Sequence, residues 1–396
     1  METTLKPRDT REVEEAVRWA AAENQPLEIC GHGSKQGLGR PVQAAHILDL
    51  SNLTGVETYE PAELVLTVKA GTPVAEVEEL VDDNGQELSF EPMDYGPLFG
   101  SEPGKGTVGG VLASNLSGPR RIKAGAARDH VLGMEAVSGR GEIFNSGGKV
   151  VKNVTGYDLP RALCGSFGTL AVAATVTLKV NPKPETSATF QLSGLSEEDG
   201  VKALCAAMGS SAEVSAAAHL PSGINGEDSK TILRLEGFET SVDYRFRTLQ
   251  NLLKEFASPA RLAEAESQAL WRSIRDVSPF ANGETPVWRV SLTPTAGPRF
   301  VKLLRDRIDL KAFFDWSGGL VWLSCDDGRI HDVEIRAALT DVGGGHATLV
   351  RADASVRSNV EVFQPQPAPL ATLSRRLKEQ FDPHGVLNPG RMISGV

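Results

Sequence analysis

Thr107-Val-Gly-Gly-Val-Leu-Ala-Ser-Asn115, preceded by Gly104-Lys-Gly106 and answered further on by Gly165-Ser-Phe-Gly-Thr-Leu170, is the stretch on which the reading of this chain turns. Between Gly96 and Gly168 fall 16 of the 40 glycines, yet they are interleaved with Val, Leu, Ala and Thr runs of strand and helix character. Glycine inside packed structure signals a close backbone approach or a positive φ. Bare amides without a Cβ in the way suit an anionic ligand, a pyrophosphate above all. A nucleotide cofactor is therefore expected. Thr107 stands where it can cap a short helix through Val108–Asn115, whose first amides would face phosphate oxygens. Each such interaction is worth about 0.3–1 kcal/mol, or about 2 when partly buried.

Working outward, Leu27-Glu-Ile-Cys30 reads as a strand running into a second glycine loop, Gly31-His-Gly-Ser-Lys35. Asp9 with Glu12 resembles a capping box ahead of a helix at about 10–23. His46–Leu50 and Leu64–Val68 read as strands, and Pro73 opens a helix to about Asn84. Val131–Val137, Glu142–Asn145 and Thr169–Val180 are further strands, and Asp158–Leu163 is helical. Asn181-Pro-Lys-Pro-Glu185 breaks the pattern, and Gln364-Pro-Gln-Pro-Ala-Pro369 does so again before a helix at 370–381. Three segments follow: 1–182, 186–355 and 370–396. Helices are expected near 197–208, 244–256 and 299–307 of the middle one, and no internal repeat is evident.

With 396 residues, 40% hydrophobic and 23% charged, the chain can bury a sizeable core. Its net charge of −10 argues against a nucleic-acid surface, which needs a basic face. Cys30, Cys164, Cys205 and Cys325 are too scattered for an iron–sulfur or zinc site, so no metal is expected and buried free thiols are. No secretory signal and no transmembrane segment is read, and a cytoplasmic protein is expected.

Gly104-x-Gly106-x-x-Gly109 imitates the dinucleotide fingerprint, and Asp129 even stands 20 residues on. A Rossmann fingerprint must follow directly from a strand, whereas this one follows a Pro- and Gly-rich loop. No Walker A motif is present either.

The ordered set Gly31-His-Gly-Ser-Lys35, Thr107–Asn115, Ser117-Gly-Pro-Arg120, Gly125-Ala-Ala-Arg-Asp129 and Gly165–Leu170 resembles the FAD-binding domain of the vanillyl-alcohol oxidase (PCMH-type) superfamily. Lys149–Leu159 and the closing Phe381–Arg391 are similar to the subunits of glycolate oxidase, and the arrangement as a whole most resembles their FAD-binding E-type subunits. The resemblance implies an α+β fold. An FAD domain of two α/β subdomains would be joined by an α+β cap, with the C-terminal tail returning to the FAD domain. It implies non-covalent FAD and assigns Gly31, Gly33, Ser34 and Lys35 to the pyrophosphate, with His32 in the same cofactor-binding loop. Thr107, Gly109, Gly110, Ser114 and Asn115 would meet phosphate, ribityl and the flavin edge. Gly118, Arg120, Arg128 and Asp129 would line the same groove. Gly165, Gly168, Thr169 and Leu170 would meet the adenine side or ribose, and Asn388 would sit near the isoalloxazine. His32 lies between glycines rather than after them, which separates it from the covalent attachment histidine of some members.

Oxidation of a 2-hydroxy acid at a flavin needs a group for the hydroxyl proton and a cation for the carboxylate. Relatives carry His-x-Gly-Asp-Gly-Asn-x-His in the cap, where this chain has Asp341-Val-Gly-Gly-Gly-His-Ala-Thr-Leu-Val-Arg351. Only weak catalytic candidates remain: Arg275, His346 and Arg351. By resemblance, then, the chain is the FAD subunit of a multi-subunit glycolate dehydrogenase. Its partners would be a D-type flavoprotein and an iron–sulfur subunit, with peripheral attachment at the inner membrane through that complex. Two alternatives stand beside it: a self-sufficient, metal-free 2-hydroxy-acid dehydrogenase, and a non-catalytic scaffold.

Overall fold

The computed structural model describes residues 3–148, 157–224 and 226–395. Most of the Lys149–Leu159 phrase, residues 149–156, lies outside the described residues. The chain divides into two compact units. One comprises Met1–Ser117, Gly125–Lys183 and Ala354–Val396; the other comprises Gly118–Ala124 and Pro184–Asp353.

The first unit holds two main sheets. A parallel one is ordered Thr3–Leu5, His46–Asp49, Leu27–Cys30. An antiparallel one is ordered Val56–Glu60, Val65–Lys69, Ala171–Lys179, Val131–Ser138, Ile143–Gly147. The helix Thr10–Glu23 turns Val13, Val17 and Ala20 into a core shared with Leu27, Leu48, Val137 and Val172. Each buried valine contributes about 1.5–3 kcal/mol. The capping box forms by half: Asp9 accepts the Glu12 N–H at 2.9 Å, but the Glu12 carboxylate turns to the backbone and guanidinium of Arg8. The tail returns to this unit. Leu27 donates to Val386 O at 2.8 Å and Asn388 to Leu27 O at 3.0 Å, so the tail extends the edge of the parallel sheet.

The second unit is one eight-stranded antiparallel sheet with an internal symmetry that the residue pattern hides. Thr186–Ser193, helix Glu197–Met208, Ala216–Leu220, Lys230–Gly237, helix Glu239–Leu253 and Pro259–Arg261 make one β-α-β-β-α-β module. Val287–Leu292, helix Gly297–Arg305, Leu310–Asp315, Leu320–Cys325, helix Asp332–Asp341 and Gly345–Arg351 make a second. Within each, the strands order 4-1-3-2. The second strands of the two modules meet at His219 and Phe314, joining both into one sheet. The repeat is one of topology, with no shared residue phrases, which is why none is evident in the sequence. Residues 118–124, read as part of the FAD domain, pack in this second unit. Arg120 pairs with Glu236 at 2.7 Å there, and Trp316 donates to Gly118 O at 3.1 Å.

Candidate functional site

The strand Leu27–Cys30 ends in a loop that two tight turns fold back: Gln36 N–H to Gly33 O at 3.1 Å and Leu38 N–H to Lys35 O at 3.0 Å. Gly33, at φ +76°, permits the reversal. Among the described residues, the amides of His32 through Lys35 donate to no protein acceptor. Such a run of bare N–H groups is an anion nest. The Lys35 ammonium borders it, 3.1 Å from Ser34 Oγ. Lys35 is half-buried, and a Cβ at Gly106 would come within 3.2 Å of its ammonium. Desolvation pushes it down to about 8, against the pull of Asp94. Behind the loop, the Arg391 guanidinium reaches the carbonyls of Lys35 and Gln36 at 3.2 and 3.4 Å and fixes the turn. Arg391 belongs to the closing sequence phrase but was not expected at the site.

The helix Val108–Ser114 corrects one expectation. Its first amides do not face a ligand. Val108 donates to Thr72 O at 2.9 Å, Gly109 to Ala70 O at 2.7 Å and Gly110 to Thr107 Oγ1 at 3.2 Å. The helix start docks on the chain leaving strand Val65–Lys69, whose free carbonyls need these donors. A Cβ at Gly109 would lie 2.9 Å from both Ala70 Cβ and Ala70 O, so this glycine serves packing. At Gly110 a Cβ would stand 3.2 Å from Thr107 Oγ1 and 3.6 Å from Lys35 Nζ, on the cleft side. A Cβ at Gly31 would press on Thr107 Oγ1 at 2.7 Å, so the two glycine phrases meet directly.

Loop, helix and the Ser166–Gly168 turn surround a cleft of about 120 Å³ that opens to solvent. The rest of the wall is largely apolar, from Leu38, Leu50, Ala70, Leu112, Met134 and Val172. Of the expected cofactor residues, the structure brings Gly31, His32, Gly33, Ser34, Lys35, Thr107, Gly109, Gly110, Ser114, Gly168 and Asn388 to this cleft. Others stand behind it. Asn115 accepts the Arg128 N–H at 3.1 Å, Gly165 packs on Asn115, and Thr169 and Leu170 are buried. Arg128 is exposed and Asp129 pairs with Arg161 at 3.1 Å, both off the wall. Gly118 and Arg120 sit in the second unit. Asn388 lines the cleft, but its carboxamide is occupied, accepting from Ile29 N–H and donating to Phe167 O, each at 2.8 Å.

The catalytic candidates fare worse. Arg351 is buried, and its guanidinium is taken up by the carbonyls of Thr285, Phe280 and Ala281 at 2.9, 2.6 and 3.3 Å, so it cannot fork onto a substrate carboxylate. Arg275 faces Asp276 through two 2.9 Å bonds. His346 is exposed on the edge strand Gly345–Arg351.

An amide nest with an adjacent desolvated ammonium, leading into an apolar cleft, suits a pyrophosphate joined to a flat ring system. Comparison with known proteins agrees. Residues 2–147 match a family model described as an FAD binding domain. The chain is 35% identical over 385 residues to the glycolate oxidase subunit GlcE of Escherichia coli (strain K12), covering 96% of each. This chain belongs to the GlcE family of glycolate oxidase subunits. It is also 29% identical over 238 residues to the glycolate oxidase subunit GlcD of Bacillus subtilis (strain 168), covering 60% of this chain and 47% of that one. Its fold is that of p-cresol methylhydroxylase, at TM-score 0.72 and 16% identity over 99% of this chain and 88% of that structure. GlcE-family membership makes the chain an FAD-dependent oxidoreductase of PCMH-type architecture. Among the described residues no helix is long and apolar enough to cross a membrane, and no group of three or more His, Cys, Asp or Glu is placed to hold a metal.

Proposed function

We propose that this chain is the FAD-binding subunit of a multi-subunit glycolate dehydrogenase. It would take part in oxidising glycolate to glyoxylate with a D-type flavoprotein and an iron–sulfur subunit. The observation that carries this reading is 35% identity to a GlcE subunit over 96% of both chains, joined to a nest whose amides have no acceptor among the described residues. Bound FAD supplies a two-electron acceptor. His32–Lys35 would hold its pyrophosphate through backbone amides and the Lys35 ammonium. Gly110, Ser114 and the apolar wall would admit the ribityl chain and ring. Thr107, Arg391 and Asn388 act by holding the loops that face the cofactor. Retention would be non-covalent, and release of the flavin into the supernatant on acid precipitation tests that point.

The second unit supports placing the main oxidation in a companion. Each of its three candidate side chains is paired, buried in carbonyls or on an outer edge, so none is poised to fork onto a carboxylate. Purifying the chain alone tests this. Yellow protein that stays oxidised under anaerobic glycolate until companion subunits are added fits the proposal. Bleaching of the isolated chain by glycolate or D-lactate would show a self-sufficient dehydrogenase. Colourless protein that still assembles would show a scaffold.

A further inference from the structure

The helix Ala368–Phe381 ends in a buried ion pair that takes no direct part in the cleft. Lys378 is the one buried residue of the helix, and Asp382, also buried, follows it one turn later. The Lys378 ammonium donates to Asp382 Oδ2 at 2.6 Å, Thr169 O at 2.8 Å and Leu387 O at 3.0 Å, which uses all three of its hydrogens. The Asp382 carboxylate also accepts the Leu387 and Val386 N–H groups, at 2.8 and 3.1 Å. Gly139, just past the strand Val131–Ser138, closes the seat. It donates to Phe381 O at 2.9 Å, and a Cβ there would lie 2.3 Å from Asp382 Oδ1. Desolvation pulls the Lys378 ammonium below its ordinary value, and Asp382 opposes that pull. A buried ion pair gains little stability over apolar residues of the same volume, so the use of this one lies in the geometry it fixes.

That geometry leads to the cleft. Beyond the pair, Leu387 bridges to Leu27 in parallel register and Asn388 meets Ile29 and Phe167. Arg391 then meets the carbonyls of Lys35 and Gln36. The Thr169 carbonyl held by Lys378 belongs to the turn whose Ser166, Phe167 and Gly168 line the cleft. Tail and turn thus start from one junction, although neither Lys378 nor Asp382 lines the cleft. We propose that Lys378 and Asp382 are positioning residues for the dinucleotide cofactor, setting the register in which Asn388 and Arg391 hold the anion nest. This rests on reading the cleft as the FAD site.

The test titrates FAD into the full-length apo protein, followed by flavin fluorescence well below the melting temperature. Lys378→Met with Asp382→Asn removes both charges at nearly constant shape, so neither is left buried and unpaired. This neutral pair should weaken FAD binding by about 10-fold, the lower end for losing a charged hydrogen bond. Arg391→Met alone should also weaken binding, by freeing the loop carbonyls. Residues that act through one another show coupling in a double-mutant cycle. Adding Arg391→Met to the neutral pair should therefore cost less than about half of what it costs in wild type. Full additivity overturns the proposal, because an independent loss of stability would add. So does wild-type affinity in the neutral pair, whatever its melting temperature. Should the neutral pair not fold, Lys378→Arg, which keeps the charge but not the three-way geometry, enters the same cycle with the same two outcomes. The reading of the cleft fails separately: wild-type apo protein that takes up no FAD would sink it and this proposal with it.

Discussion

The Asn388 carboxamide accepts the Ile29 N–H at 2.8 Å, so a residue of the returning tail closes the strand that launches the cofactor loop. Its other end donates to Phe167 O at 2.8 Å, and a Cβ at Gly168 would lie 2.9 Å from its nitrogen. One side chain thus holds two walls of the cleft at a fixed separation. Leaving two part-buried backbone groups unpaired costs up to about 1–3 kcal/mol each. Asn388→Ala should therefore lower apo-protein stability by up to about 2–6 kcal/mol and reduce flavin occupancy together. Denaturant unfolding with flavin quantitation checks this; full occupancy at unchanged stability would refute the clamp.

Gly109 and Gly110 separate packing from cofactor contact. Gly109→Ala drives a methyl into Ala70 Cβ and O at 2.9 Å and should destabilise the apo protein. At Gly110 the nearest atom is 3.2 Å away, and alanine gains up to about 1 kcal/mol of helix propensity. Gly110→Ala should leave the melting temperature of apo protein near wild type and still lower flavin retention. A fully flavinylated Gly110→Ala would place the cofactor elsewhere.

What could be read in advance divides along physical lines. Local signals were legible: the Thr107 cap, the glycine loop after Cys30 and the tail phrase all report backbone conformation, which neighbouring residues set. Directions were not. Whether the Gly109 amide faces a ligand or Ala70 O depends on a strand end some 40 residues earlier in the chain. The doubled module of the second unit was invisible because topology can repeat while side chains do not. The leucines of 368–381 carry a core-facing pattern that this chain alone does not bury. Arg351 read as a free cation, and only three-dimensional neighbours reveal that carbonyls already occupy it.

Lys35 should make flavin binding pH-dependent. Its ammonium is pushed down to about 8 in the ligand-free protein, chiefly by desolvation. A bound pyrophosphate favours the charged form, so association takes up a proton once pH exceeds about 8. FAD affinity should be level below that value and fall as pH rises above it. Lys35→Met should flatten the profile and weaken binding by about 10- to 150-fold, the equivalent of a charged hydrogen bond of 1.5–3 kcal/mol. Fluorescence titration from neutral to alkaline pH measures both. An affinity independent of pH in the wild type would remove Lys35 from the phosphate site.

His219 sets an acid limit on the second unit. It sits fully buried where the two modules join, with Nδ1 2.8 Å from Thr231 Oγ1 and its ring 5.9 Å from Phe314. Its Nε2 has no partner among the described residues, and desolvation pushes it down to about 4. The ordinary value is about 6.5. Between those two values the unfolded chain binds the proton and the folded one does not, so stability rises with pH across that window. On acidification the contribution is lost from about 6.5 downward, reaching at most about 3 kcal/mol near 4. Gly200 packs on this ring, where a Cβ would stand 2.3 Å from Nδ1, so the ring has no room to swing toward water. His219→Gln keeps a polar partner for Thr231 without a titrating group. It should flatten the acid limb of urea unfolding between about pH 6.5 and 4 relative to wild type. An acid limb of the same slope in both proteins would assign the acid sensitivity to other groups.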